Sequence, residues 1–169
     1  MNHMARYAAT ETGLARVLAR WVDRWGQKQA AELDEDAGDL TRAIRRSKAE
    51  IPGVLARLKD LGVLNDDAFA ASRAQRLSRS GKSRRATLAH LAAKGVMAPD
   101  LPEDPQRELA AACAYLRRRR AGPFGDAPTD KILAAMARGG FSQSIARRAL
   151  ALTYDEAEAL IKSLDPPLP

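Results

Sequence analysis

Residues 14–25 read Leu-Ala-Arg-Val-Leu-Ala-Arg-Trp-Val-Asp-Arg-Trp. Leu14, Val17, Leu18, Trp21, Val22 and Trp25 fall at i, i+3, i+4, i+7, i+8 and i+11. An α-helix turns once in about 3.6 residues, so this spacing makes one continuous apolar stripe. Arg16, Arg20, Asp23 and Arg24 lie off the stripe, and Gly26 is a suitable helix end. Two tryptophans on such a stripe are expected in the core; the alternative is that they anchor a partner.

Outward from this helix the same period recurs. Residues 27–39 are polar and acidic, with Glu32, Asp34, Glu35, Asp36 and Asp39, and are expected to form a loop. Leu40 and Ile44 open a short helix that Pro52 ends, and the same proline suits the first turn of the next. Val54, Leu55, Leu58 and Leu61 give that helix its apolar face, and Gly62 closes it. Asn65 or Asp66 caps a helix carrying Phe69, Ala70, Ala74 and Leu77, which stops before Gly81. Ser83 caps another with Leu88, Leu91 and Ala92, ending at Lys94-Gly95. Pro99, Pro102 and Pro105 make residues 97–105 a stiff linker, and Asp104-Pro105 starts a new helix. That helix carries Leu109, Ala112, Cys113 and Leu116 and stops at Gly122-Pro123. Thr129 caps a helix with Ile132, Leu133 and Met136; Ser142 caps one with Ile145, Ala149 and Leu150. Thr153 and Glu156 form a capping box for a last helix on Ala157, Leu160, Ile161 and Leu164. The Pro-rich end, residues 165–169, is expected to be disordered.

Sustained alternation of apolar and polar residues, the mark of a strand, is absent, so the fold class is all-α. One pattern repeats: Leu55-Leu58-Gly62-Val63, Leu88-Leu91-Gly95-Val96 and Leu133-Met136-Gly140-Phe141. A helix stopped by glycine with an apolar residue folding back is common. Short helices cannot bury a face alone and must stack, so the expectation is an elongated chain of about three tandem three-helix bundles. Their expected bounds are 4–64, 65–103 and 104–164.

Lys+Arg number 28 against 21 Asp+Glu in 169 residues, a formal net charge of +7. Such a chain attracts polyanions. Cys113 is the only cysteine, so no intramolecular disulfide forms, and a reducing compartment, the cytoplasm, is expected. No apolar run reaches the roughly 20 residues of a membrane span, and no membrane partner is expected. His3 and His90 have no metal-ligand spacing, and phosphate-loop, zincin and catalytic-triad motifs are absent. Cys113 lies on the apolar face of its helix and reads as an inert thiol. The Asp66-Asp67 pair reads as a helix start. The expectation is a protein without enzymatic activity, cofactor or metal.

The basic residues carry the functional signal. Arg73, Arg76, Arg79, Lys82, Arg84, Arg85 and Lys94 occupy residues 73–94 with no acid among them. Arg73 and Arg76 share a helix face, while Lys82, Arg84 and Arg85 surround the next helix N-terminus, where backbone N–H groups favour an anion. The competing reading is a solvated face. Arg117, Arg118, Arg119 and Arg120 wrap all sides of a helix end, where part of their effect is on the helix dipole.

Residues 58–81, L-K-D-L-G-V-L-N-D-D-A-F-A-A-S-R-A-Q-R-L-S-R-S-G, followed by L-A-H-L-A-A-K-G-V at 88–96, resemble the central repeat of the RecX family of bacterial regulators. Asp66, Asp67, Phe69, Ala70, Arg73, Gly81, Leu91, Lys94, Gly95 and Val96 match that family's pattern. The segment A-C-A-Y-L-R-R-R-R-A-G-P-F at 112–124 resembles a third-repeat opening. Members often have an aromatic and a second glycine where this chain has Lys82-Ser83, and a basic then an aliphatic residue at Ala86-Thr87.

The resemblance implies tandem three-helix repeats and binding to the RecA recombinase filament on single-stranded DNA; the chain itself is expected to be a monomer. It further implies modulation, usually inhibition, of RecA ATPase, strand exchange and coprotease activity in DNA repair and the SOS response. On this reading the candidate contacts are Arg73, Arg76, Arg79, Lys82, Arg84, Arg85, Arg117, Arg118, Arg119 and Arg120. Asp66, Asp67, Phe69, Gly81, Leu91 and Gly95 are structural. The competing function is a helix-turn-helix DNA-binding regulator, built on the helices either side of Gly81.

Overall fold

The computed structural model describes residues 9–32 and 37–165; for Glu32 and Ala37 it describes the backbone alone. Eight helices dominate the described residues, with one short hairpin. The described residues divide into two compact units, 9–32 and 37–69 with 94–96, and 70–93 with 97–165. The N-terminal residues 1–8 and the expected disordered residues 166–169 lie outside the described part, as do Asp34, Glu35 and Asp36.

In the first unit, α1 (Glu11–Glu32) packs along α2 (Ala37–Asp60). Thr10 caps α1: its hydroxyl accepts the Gly13 N–H at 2.9 Å and donates to the Lys94 carbonyl at 2.6 Å. Asp66 accepts the Glu11 N–H at 3.0 Å, and Lys59 pairs with Glu11 at 2.9 Å. Three expectations are corrected here. Gly26 does not end α1, which runs on to Glu32, and helix also covers 37–39 of the expected loop. Gly26 is buried, and a Cβ there would strike the Ile44 side chain, so its role is close helix approach. Pro52 lies inside α2 rather than between two helices. Ile44, Ile51, Leu55 and Leu58 keep helical spacing across it, and packing on α1 outweighs the lost hydrogen bond.

Trp21 and Trp25 are not core residues: they are 59% and 44% exposed. The groove between the helices is instead walled by Leu18, Val22 and Ile51, all half-buried.

The second unit takes most of α3 (Asp66–Arg79), then α4 (Arg84–Ala93), α5 (Pro105–Arg119), α6 (Thr129–Arg138), α7 (Gln143–Leu150) and α8 (Tyr154–Lys162). Asn65 caps α3 by accepting the Ala68 N–H at 2.8 Å, which leaves Asp66 for α1. Asp104 caps α5 through the N–H groups of Gln106 and Arg107, with Pro105 at the first position. Leu109, Ala110, Ala111, Ala112, Cys113, Ala114 and Leu116 of α5 are all buried. A run of consecutive buried residues covers every side of a helix, so α5 is the central rod rather than a one-faced helix. Its alanines let α7 and α8 approach closely. Burial pushes the Cys113 thiol up to about 11, as befits an inert thiol.

The hairpin of β1 (Ala121–Gly122) and β2 (Gly125–Asp126) follows α5, with Ala121 opposite Asp126. The glycine-stop helix end appears as expected after α2 and α6. Gly62 and Gly140 donate back to Lys59 and Ala137, and Val63 and Phe141 to Leu58 and Met136. Phe141 is then buried but Val63 is exposed, so the copies differ in what they pack.

Candidate partner-binding surface

The turn from Ser80 to Arg85 is where four helix ends of the second unit meet. Gly81 (φ +76°) lies against α5; a Cβ there would come within 2.6 Å of the Tyr115 backbone nitrogen. Only glycine suits both that angle and that approach. Ser83 is fully buried; its hydroxyl donates to the Gly139 carbonyl at 2.7 Å and accepts the Ala86 N–H at 3.1 Å. The α4 start is thereby tied to the α6 end. Tyr115 packs edge-on against Phe141, with ring centroids 5.6 Å apart, and carries the Arg119 guanidinium 4.8 Å from its ring centre.

The candidate cations fall into two groups. Many already have work inside the fold. Arg118 donates to the Ser80 carbonyl at 2.8 Å and Arg85 to the Ala137 carbonyl at 3.1 Å. Both sit on the negative ends of helix dipoles, where a cation is stabilising. Arg84 bonds the Leu101 carbonyl at 2.9 Å and pairs with Glu103 at 3.5 Å. Arg73 donates from Nε to His90 Nε2 at 3.1 Å, Arg79 meets Asp165 at 3.7 Å, and Arg117 meets Glu158 at 3.1 Å. Arg120 closes α5 in the left-handed conformation, φ 51°. In contrast, the side chains of Arg76, Lys82 and Arg120 are exposed and make no ion pair or hydrogen bond with described residues.

The anion site expected at the α4 N-terminus is already filled. The Glu108 carboxylate accepts the Arg84 N–H at 2.8 Å. Burial raises its pKa, and the Arg84 N–H and charge lower it in part. Nothing local in the sequence links Glu108 to Arg84, because the pairing depends on how α5 crosses the turn. Other exposed cations that the charge pattern did not single out, Arg138, Arg147 and Arg148, lie on α6 and α7. On α4, the exposed positions are Arg85, Ala89, Ala92 and Ala93. Three alanines offer no hydrogen bond to a base edge, which weighs against a helix-turn-helix reader. Of the other motif residues, Leu91 is fully buried, Phe69 half-buried and Asp67 exposed. No helix among the described residues is long and apolar enough to cross a membrane, and none of those residues cluster as metal ligands.

Fold and surface together define a basic all-α protein: α1 pairs with α2 in one unit, and short helices pack about the alanine-rich α5 in the other. A regulatory protein RecX from Myxococcus xanthus (strain DK1622) is 34% identical over 162 residues, covering 89% of this chain and 81% of its own. A regulatory protein RecX from Agrobacterium fabrum (strain C58 / ATCC 33970) is 35% identical over 112 residues, 62% of this chain and 60% of its own. No family model and no solved structure matches. The chain belongs to the RecX family of regulatory proteins.

Proposed function

We propose that this protein binds the RecA filament on single-stranded DNA and lowers its ATPase, strand-exchange and coprotease activities, without catalysing a reaction itself. The observation that carries the reading is the 34% identity, over 89% of the chain, to a protein named as a RecX regulator. The surface supports it. Arg76 and Lys82 project from an acid-free stretch and have no acidic partner among the described residues. Arg118 and Arg119 lie beside the same turn. Their joint field suits an acidic protein face or a phosphate backbone.

The test is RecA ATPase turnover on single-stranded DNA with and without the purified chain, with duplex binding as the control. Reduced turnover with weak duplex binding is expected. Unchanged turnover with tight, sequence-dependent duplex binding would replace this reading by the helix-turn-helix one.

A further inference from the structure

On α1, in the first unit, two indoles stand exposed on a folded helix, Trp21 by 59% and Trp25 by 44%. Neither stacks on another ring among the described residues. We propose that Trp21 and Trp25 are a stacking platform for the bases of single-stranded nucleic acid, with Arg20 and Arg24 holding its phosphates.

The spacing supports this. Residues at i and i+4 are about 6 Å apart along a helix. Stacked bases lie about 3.4 Å apart, so each indole offers an exposed face on which one base can stack. Leu18, Val22 and Ile51, all half-buried, line one groove together with the two indoles. Trp21 also borders a second hollow, shared with Val17, Arg20, Arg24 and Gln27. The carboxylate there, Asp23, is engaged by Lys48 at 2.6 Å. Arg20 and Arg24 are both exposed, and the Arg20 Nε is steadied by the Arg16 carbonyl at 3.3 Å. Planar apolar rings and phosphate-binding cations are therefore adjacent on one helix.

The charges select the occupant. A second copy of the chain would bring Arg20 and Arg24 against their own kind. An acidic protein face would satisfy the arginines but offers no stack of flat rings for the indoles. A single strand supplies both. Glu50, on the α2 wall of the groove, keeps phosphates to the α1 side. The proposal goes beyond the filament reading and does not rest on it, since the deciding titration, with oligo-dT alone, contains no RecA.

The chain has two tryptophans, both at this site, so its indole emission reports on the platform alone. The whole 169-residue chain is titrated with oligo-dT of about 20 nucleotides and with a duplex of equal length. Quenching by the single strand and little by the duplex is expected. Trp21→Ala and Trp25→Ala should each weaken binding about 5- to 150-fold, the range that loss of one stacked base gives. Trp21→Phe keeps a ring and should stay within a few-fold of wild type, a rescue that loss of packing would not show. Exchanging Arg20 and Arg24 for Glu should flatten the salt dependence by a slope of about 1.4 or more. Emission unmoved by oligo-dT overturns the proposal. Emission that then changes with RecA protein alone assigns the face to a protein partner, and emission that changes with the chain's own concentration assigns it to a second copy.

Discussion

The Glu108 carboxylate receives the backbone N–H of Arg84 at 2.8 Å, so the first turn of α4 already holds an anion supplied by α5. An outside phosphate would have to displace it. The cations beside this turn are therefore better placed to meet a partner with their side chains than to share the helix N-terminus with it.

The half-buried carboxyl makes a pH signature. Desolvation raises its folded pKa above the ordinary value of 4.5, and the Arg84 N–H and charge offset this in part. The native chain then binds this proton more tightly than the unfolded one. The stabilising contribution is complete below the unfolded pKa and is lost as pH rises through the folded value. Glu108→Gln keeps an acceptor and removes the titration. Urea unfolding should show the variant gaining on wild type as pH climbs from about 4 to 7. A gap that stays constant with pH would show that Glu108 titrates alike in both states.

Ser83→Ala should cost about 1–3 kcal/mol, because it strands the Gly139 carbonyl and the Ala86 N–H at a buried junction. The denaturation midpoint should fall with an unchanged slope. A midpoint equal to wild type would mean that water replaces the hydroxyl.

Leu91→Ala should cost about 2–5 kcal/mol, since the side chain is fully buried. Phe69→Ala should cost less, because its ring is only half-buried. Thermal or urea unfolding of the two variants checks the order; the reverse order would place the Phe69 ring deeper than Leu91.

Arg76→Glu with Lys82→Glu should abolish inhibition of RecA ATPase while changing stability by no more than about 0.5 kcal/mol. Neither side chain has a partner among the described residues. Arg85→Glu differs, because it also loses the bond to the Ala137 carbonyl. Circular dichroism and ATPase assays separate the two effects. A folded double variant that still inhibits would move the contact to the arginines at 117–120.

The second unit was largely legible because its helices announce themselves locally. Asp104-Pro105, Ser142 and the Thr153–Glu156 box all cap as their residue types suggest. The first unit was less so. Gly26 and Pro52 are ordinary helix breakers, and only the long contact between α1 and α2 keeps both inside helices. The candidate surface was legible as charge but not as geometry. Sequence gives the acid-free run at 73–94; it cannot show that Arg85 and Arg118 are spent on helix-end carbonyls. The exposed tryptophans were misplaced for a related reason. Apolar periodicity tells which residues share a face, and not whether anything covers that face.

The Thr10 hydroxyl bonded to the Lys94 carbonyl sets an order of events on the ribosome. The chain emerges from its N-terminus, and α1 and α2 can pair as soon as both are out. Thr10 cannot, because residues 94–96, which complete that unit, are made only after α3 and α4. A nascent chain halted before Lys94 should therefore hold a paired but unfinished N-terminal hairpin of helices, open to proteases at its first turn. Closure then comes as a single late event, well past the midpoint of synthesis.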